Sequence, residues 1–454
     1  MTLTPIAARP DAGVPFVVVC RPKSGRTLED MRHRLRLENI RDYAPEAGAH
    51  FRISRTLKAR GFKVYSSGSS SIVSATGTAR QFQELFNAKL QRYRRVEGRR
   101  GSRLSHEFCV LSPNSPAANS KILPDALLIV PMEPSCENST FPLPTRAFNL
   151  RHPVDIALLT KAALVHRNQV SGQRATGSGV RIAMIDTGFY PHPFYASNGY
   201  QLAADRAADV TTPATVDTDG HGTRNAINIF SCAPDAEVIG IKKGPNAVLA
   251  LDRAAALSPK VITCSWGFPR NEVTALPDAD LPLRLTILNL ISSGIPVVFS
   301  AGNQSVVQFP AMMPEVITVG GVAVDKDENL RAWNGSASFM SGIFKNRAVP
   351  DLCGLASKMA LPSSPDSDTS GRSWEVMEGC TSAAAPQIAG VIALLLQKNP
   401  TLSPKQIKAI LCRTASDVMA GKSAMNDKAV MSKDLATGAG FVDALKAWKS
   451  IREN

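Results

Sequence analysis

The sequence predicts an α/β protein: a doubly wound, mostly parallel sheet in residues 179–454, preceded by a smaller α+β unit in residues 1–133. Three observations predict it. Short buried-strand runs recur at Gly179 to Ile185, Glu237 to Ile241, Val261 to Cys264, Pro296 to Ser300 and Val316 to Val319, the rhythm of strand–helix–strand units. The first third instead reads strand, helix, strand, strand, helix, strand, a split βαβ order. Between the two, residues 134–178 are rich in Pro, Ser, Asn, Gly and charge and read as a linker and docking segment, with one helix-like patch from Ile156 to Val165.

In the first unit, Phe16 to Val19 reads as a buried strand, Leu28 to Leu37 and Phe51 to Ala59 as helices, and Phe62 to Tyr65 and Ser71 to Ala75 as paired strands across a Ser/Gly turn. Thr78 caps a helix to Phe86 with Phe82, Leu85 and Phe86 on one face. Beyond it lies the densest basic run, Arg92-Tyr93-Arg94-Arg95 with Arg99, Arg100 and Arg103 close behind. It reads as a solvated basic loop, open to proteolytic nicking at Gly98 and Gly101. The net charge of +14 would favour nucleic acid only if it were concentrated beside a binding motif, and none accompanies this run, so nucleic acid is not an expected partner.

A 44% apolar and 20% charged composition over 454 residues is that of a globular protein with more than one domain. Met1 to Arg21 lacks the basic start and long apolar core of a signal peptide, and no window reaches the roughly 18 uninterrupted apolar residues of a membrane span. The eight cysteines, at 20, 109, 136, 232, 264, 353, 380 and 412, form no CxxC pair or metal-ligand spacing and read as free, mostly buried thiols. The expectation is a cytoplasmic protein with no membrane partner.

The second unit carries the chemistry. Its first strand ends in Asp186-Thr187-Gly188, a carboxylate at the carboxyl end of a central strand, where open α/β sheets place their sites; alone it could equally be a turn. His221 stands between Gly220 and Gly222 at a helix start, where it is either a surface residue or one opened to close approach by another chain. Val261 to Cys264 runs into Ser265-Trp266-Gly267, and Val297 to Ser300 into Ala301-Gly302-Asn303, which ends in an amide donor. Gly379-Cys380-Thr381-Ser382 enters an apolar helix, so Ser382 reads as an N-cap or as a nucleophile beside unsatisfied backbone N–H groups. Further on, Ser403-Pro404-Lys405-Gln406 is a capped helix start carrying Ile407, Ile410 and Leu411 inward, read as scaffold.

Taken in order, Ala183 to Gly188, His221-Gly222-Thr223, Ala233-Pro234-Asp235-Ala236, Ser265-Trp266-Gly267, Ser300-Ala301-Gly302-Asn303 and Thr381 to Pro386 make the segment from about Gly177 to Leu411 resemble a subtilisin-type serine protease. Val73 to Phe82 and Ile122 to Leu127 resemble the activation prodomain of the sedolisin and kumamolisin proteases, the other reading being a ferredoxin-like binding module. The resemblance implies a subtilisin-like sheet behind a ferredoxin-like prodomain. It implies that Ser382 attacks the peptide carbonyl, His221 moves the proton, Asp186 orients the imidazole, and Asn303 with the Ser382 N–H binds the oxyanion. It also implies that Ser265, Trp266, Gly267, Ser300, Ala301 and Gly302 line the substrate site, with Trp266 lending it an aromatic surface, and that the prodomain is an intramolecular inhibitor.

Three positions depart from the family pattern. Cys380 replaces a glycine, and strains the turn if φ must be positive there; Arg224 and Gln387 replace histidines. The default for Cys380 is a buried structural thiol, with redox control of Ser382 as the second reading. Sedolisins have a glutamate where this chain has His221 and an aspartate where it has Asn303, so subtilisin chemistry is expected, with activity rising as His221 deprotonates near pH about 6–7. No metal or other cofactor is required for that chemistry; a structural calcium is compatible with the family, but no dedicated loop for one is visible. The expected function is a serine endopeptidase restrained by its prodomain, either general or dedicated to one partner. The alternative is a catalytically silent pseudoprotease serving as a binding or regulatory scaffold.

Overall fold

The computed structural model of the chain describes residues 2–66, 68, 70–97, 104–112, 122–137, 150–271, 273–325, 327, 329–357, 359–365, 374–377 and 379–452. In the N-terminal unit, Gly13–Cys20 pairs antiparallel with both Ile72–Thr78 and Ala126–Pro131, and Lys63–Val64 adds to the outer edge of Ile72–Thr78. Three helices, Leu28–Arg34, Ala49–Ala59 and Ala79–Phe86, accompany this sheet. The last starts from a reciprocal cap: the Gln81 N–H donates to the Thr78 hydroxyl, and the Gln81 side chain accepts from the Thr78 N–H at 2.8 Å. The helix expected from Leu28 to Leu37 stops at Arg34 and is followed by a 3₁₀ segment, Leu37–Tyr43.

Strand alternation decides how the unit attaches. On Gly13–Cys20, Val14, Phe16 and Val18 point into a core of the unit's own, where Phe16 meets Phe82 and Phe86 edge-on. Val17 and Val19, on the other face, enter a core shared with the helices Ala247–Ala256 and Leu281–Ser292 of the second unit.

The basic run expected to be a loop is a strand. Leu90–Glu97 lies between Thr2–Ile6 and Leu104–Leu111 in an antiparallel sheet. Arg92 and Arg94 pair with Glu107 across it, and Arg95 is buried. Residues 98–103, including Arg99, Arg100 and Arg103, lie outside the described residues.

The second unit is an eight-stranded sheet in which Gln201–Arg206, Glu237–Lys242, Arg181–Asp186, Val261–Cys264, Val297–Ser300 and Ile317–Val324 run parallel in that spatial order. The far end of this row adds Leu330–Ala332, antiparallel, while Leu352–Leu355 pairs with Ile317–Val324. From Arg181–Asp186 the chain winds one way to Gln201–Arg206 and Glu237–Lys242 and then the other way from Val261–Cys264. The reversal of strand order therefore falls between Asp186 and Cys264, the place where a parallel sheet leaves a crevice beyond its carboxyl ends.

One face of the sheet carries Thr381–Lys398, buried from Thr381 to Leu396, with His221–Cys232 packed beside it. The connecting stretch contributes to this core: the patch from Ile156 to Val165 forms two short helices, broken at Lys161 (φ 62°), and buries Ile156, Ala162 and Val165 there. Among the described residues, no helix is long and apolar enough to cross a membrane.

Candidate active site

Asp186 ends its strand fully buried, and its Oδ1 accepts from the Thr187 N–H at 2.8 Å and lies 2.7 Å from His221 Nδ1. The helix His221–Cys232 can come this close because residue 222 is a glycine: a Cβ there would lie 2.2 Å from the Gly188 carbonyl oxygen. Gly222 N–H also donates to the Thr187 hydroxyl at 3.0 Å. The close approach that Gly222 allows is to Gly188 of the same chain, and it leaves His221 buried, 5% exposed, rather than on the surface.

Asp217, which the sequence reading passed over, builds the wall behind this pair. It is fully buried and accepts from the Thr187 hydroxyl (2.7 Å), the Gly220 N–H (3.0 Å), and the N–H and hydroxyl of Thr223 (2.9 and 2.6 Å). It thereby serves the start of the His221 helix, where backbone N–H groups have no partner within the helix. Burial pushes its carboxyl up to about 6, against the Thr223 hydrogen bonds that pull it down, and the Asp186 charge adds to the rise. Its only sequence signal is an acidic residue shortly before a glycine-opened helix.

Ser382 lies inside the first turn of Thr381–Lys398, so it is not the N-cap; that position belongs to Cys380. The positive φ of the turn falls on Gly379 (96°), while Cys380 is extended (−164°), so the expected strain at Cys380 is absent. Burial pushes the Cys380 thiol up to about 11 and keeps it protonated at neutral pH, the condition of an inert thiol. Pro386 has no N–H to give the Ser382 carbonyl four residues earlier, and the Ser265 hydroxyl donates to that oxygen instead, at 3.0 Å. In the other direction the Ser382 hydroxyl lies 3.5 Å from the Ser265 carbonyl oxygen.

Two contacts set the Ser382 helix against the His221 helix. Gln387 donates to Asn228 Oδ1 at 3.0 Å, and Gly390 lies against the Ile229 carbonyl and Cys232. Both contacts advance together along the two helices, which therefore run in the same direction and begin at the same end of the sheet. Asn303 reaches that end too: its Oδ1 accepts from the N–H and hydroxyl of Thr381 at 3.0 and 2.8 Å, which identifies the other end of the amide as its donor.

The residues expected to line the substrate site divide. Trp266–Pro269 is a strand, but the Trp266 ring is buried, donates to the Ile185 carbonyl at 2.9 Å and packs edge-on against Phe299, so the expected aromatic pocket surface is not there. Ser300, Ala301 and Gly302 are buried at the neighbouring strand end. Gln308 fills the gap between the two. A Cβ on Gly267 would lie 2.9 Å from its side chain, one on Gly302 would lie 3.0 Å away, and its amide donates to the Ser300 carbonyl at 3.0 Å. Nothing in the local sequence marked it.

Trp266–Pro269 pairs on one edge with Gln308–Phe309, and its other edge is covered from within the chain. Cys136–Glu137 lies antiparallel along it, Gly267 opposite Cys136 and Trp266 opposite Glu137. All eight cysteines are free thiols, and among the described residues no three His, Cys, Asp or Glu side chains are grouped to hold a metal.

Comparisons with known proteins identify the family and the fold. The subtilase family model matches residues 177–440. The chain is similar to the serine protease AprX of Bacillus subtilis (strain 168), 28% identical over an alignment of 314 positions that covers 59% of this chain and 68% of AprX. It is also similar to subtilisin BL of Lederbergia lenta, 28% identical over an alignment of 279 positions that covers 58% of this chain and 92% of that protein. Among solved structures it is similar in fold to fervidolysin from Fervidobacterium pennivorans, a keratinolytic enzyme related to subtilisin, with a TM-score of 0.58, 18% identity and 96% of this chain covered. The chain spans 61% of the length of that structure.

Proposed function

Because the chain belongs to the subtilase family and is a subtilisin-like serine endopeptidase acting on polypeptides, we propose that Asp186, His221 and Ser382 form its catalytic triad, restrained by residues 1–133 and the strand that follows them. The observation that carries the triad is the 2.7 Å contact between His221 Nδ1 and Asp186 Oδ1, at the end of the sheet where the Ser382 helix also begins. With Nδ1 held as the donor, Nε2 is the base. The Ser382 hydroxyl adds to the scissile carbonyl as its proton passes to His221, the imidazolium is stabilised by Asp186, and the same proton is returned to the departing amine. The Asn303 amide and the Ser382 N–H receive the charge that develops on the carbonyl oxygen. Water then repeats the sequence on the acyl-enzyme.

Restraint is supported by Cys136–Glu137, which occupies the edge of Trp266–Pro269 where a substrate backbone would add as a strand. The eight free cysteines support a reducing, cytoplasmic setting.

The antiparallel register runs the chain from Glu137 toward Ser265, whose carbonyl adjoins the Ser382 hydroxyl. The expected self-cut therefore falls between Glu137 and Leu150. Intact-mass spectrometry of the wild type beside Ser382→Ala tests this. A cut there in the wild type and a whole mutant chain is the expected result. The same cut in both would remove Ser382 from the chemistry, and two whole chains would favour the silent scaffold.

A further inference from the structure

The sheet that holds the basic run has a buried side chain, Arg95, that also reaches outside its own strands. Along Leu90–Glu97, alternation sends Arg92 and Arg94 to one face, where both pair with Glu107, and sends Arg95 to the other. There the Arg95 guanidinium lies over the Phe108 ring, 5.5 Å from its centroid, and is 4% exposed. It donates to two successive backbone carbonyls outside its sheet, Pro134 and Ser135, the latter at 3.0 Å. The next two residues are the strand Cys136–Glu137 that covers the edge of Trp266–Pro269.

We propose that Arg95 is the positioning residue that holds residues 134–137 in the substrate cleft, so that the sheet Thr2–Ile6, Leu90–Glu97 and Leu104–Leu111 is a latch on the restrained enzyme. The proposal rests on the reading of that segment as the restraint. A guanidinium carries several donors in a fixed plane and reads carbonyls without regard to side chains, which suits the holding of a backbone. Phe108 fixes its plane from beneath. On the upstream side, Glu133 is paired with Arg270, which follows the Trp266–Pro269 strand, so the segment is gripped from the catalytic unit at Glu133 and from the latch sheet at Pro134 and Ser135. Only beyond these two grips does backbone pairing with Gly267 and Trp266 begin. Two paired residues make a weak strand by themselves, and a charged donor on the carbonyls just before them fixes both their position and their register.

Cys136 is itself the reporter, because its buried thiol becomes accessible when the segment leaves the edge. The full chain is prepared with Ser382→Ala so that it stays whole, and iodoacetamide labelling of Cys136 is followed by peptide mass spectrometry, with the buried Cys20 reporting on the fold of the N-terminal unit. Arg95→Met, which keeps the packing on Phe108 and removes the donors, is expected to speed Cys136 labelling about tenfold or more. Arg95→Lys, which keeps a charged donor, is expected to restore most of the protection, and Arg94→Gln on the opposite face to leave it unchanged. Labelling of Cys136 at the wild-type rate in Arg95→Met, with Cys20 still protected, would overturn the proposal. Should Cys20 open as well, Phe108→Leu is measured instead: faster labelling of Cys136 alone sustains the proposal, and the wild-type rate overturns it. None of these readings needs a working nucleophile, so failure of the proteolytic reading shows separately, in the intact masses of the wild type and Ser382→Ala.

Discussion

Two regions of this molecule are equally buried and built on opposite principles. At the carboxyl end of the sheet, Asp186, Asp217, His221, Asn303 and Thr381 are buried and held by directed hydrogen bonds, most between 2.6 and 3.0 Å. Where the N-terminal unit docks, Val17, Val19, Met31, Leu35 and Val130 share one apolar core with Val248, Leu251, Leu281, Leu285 and Leu288. Hydrogen bonds fall away steeply with angle and distance, whereas apolar burial scales with area and has no direction. The first kind of contact therefore fixes where a reacting atom sits, and the second decides whether the two units stay together.

That division is broken most sharply by changes expected to touch rate and leave docking alone. Ser382→Ala is expected to remove about 10⁶ of kcat with the urea midpoint unchanged. Asn303→Ala follows, at about 10²–10³ in kcat, the loss typical of one oxyanion donor. Since its Oδ1 also anchors Thr381, a small fall in stability is expected beside it, and a peptide substrate assay with a urea titration separates the two. If KM rises while kcat holds, Asn303 binds ground-state substrate and its assigned role is wrong. Met31→Ala tests the other side: about 2–5 kcal/mol lost from stability with kcat of the cut enzyme unchanged. A matching fall in kcat would mean that the docking face and the site are one mechanical unit.

The same division explains what could be read in the sequence. The residues ending apolar strands were legible, because Asp186, Ser265 and Asn303 each follow a run of β-branched or apolar residues that stops abruptly. So was Ser382, from the turn and helix it enters. The mostly parallel sheet followed from the same runs, whereas the reversal of strand order beside Asp186 depends on which strands pair and is seen only in the structure. Asp217 and Gln308 were not legible, since each acts from a loop or a two-residue strand whose position depends on the rest of the chain. Trp266 was misread because an aromatic beside a cleft-forming strand can point either way, and its N–H found the Ile185 carbonyl in the core. The Leu90–Glu97 strand was hidden by its arginines: a strand whose Arg heads find carboxylate and carbonyl partners on both faces shows no apolar alternation.

Asp217 lies where the two principles meet, and it gives the smallest and most particular expectation. The hydroxyl and N–H groups that donate to its carboxylate are neutral, so burial dominates and its folded-state value rises to about 6, above the roughly 3.9 of an unfolded aspartate. Between those two values the folded chain holds a proton that the unfolded chain has already released. Stability from this group is therefore complete below about pH 4 and is lost as pH rises through about 6, contrary to the usual paired carboxylate, at a scale of about 2–3 kcal/mol. Asp217→Asn cannot titrate, and it also turns an amide N–H toward groups that donate, which lowers stability by an amount independent of pH. Urea midpoints of both chains, measured in the Ser382→Ala background from about pH 4 to pH 7, isolate the titrating part as the change in their difference. That difference is expected to shrink as pH rises. A difference that stays constant would mean that Asp217 is ionised throughout, and that the hydroxyl and N–H donors at the start of the His221 helix outweigh its burial.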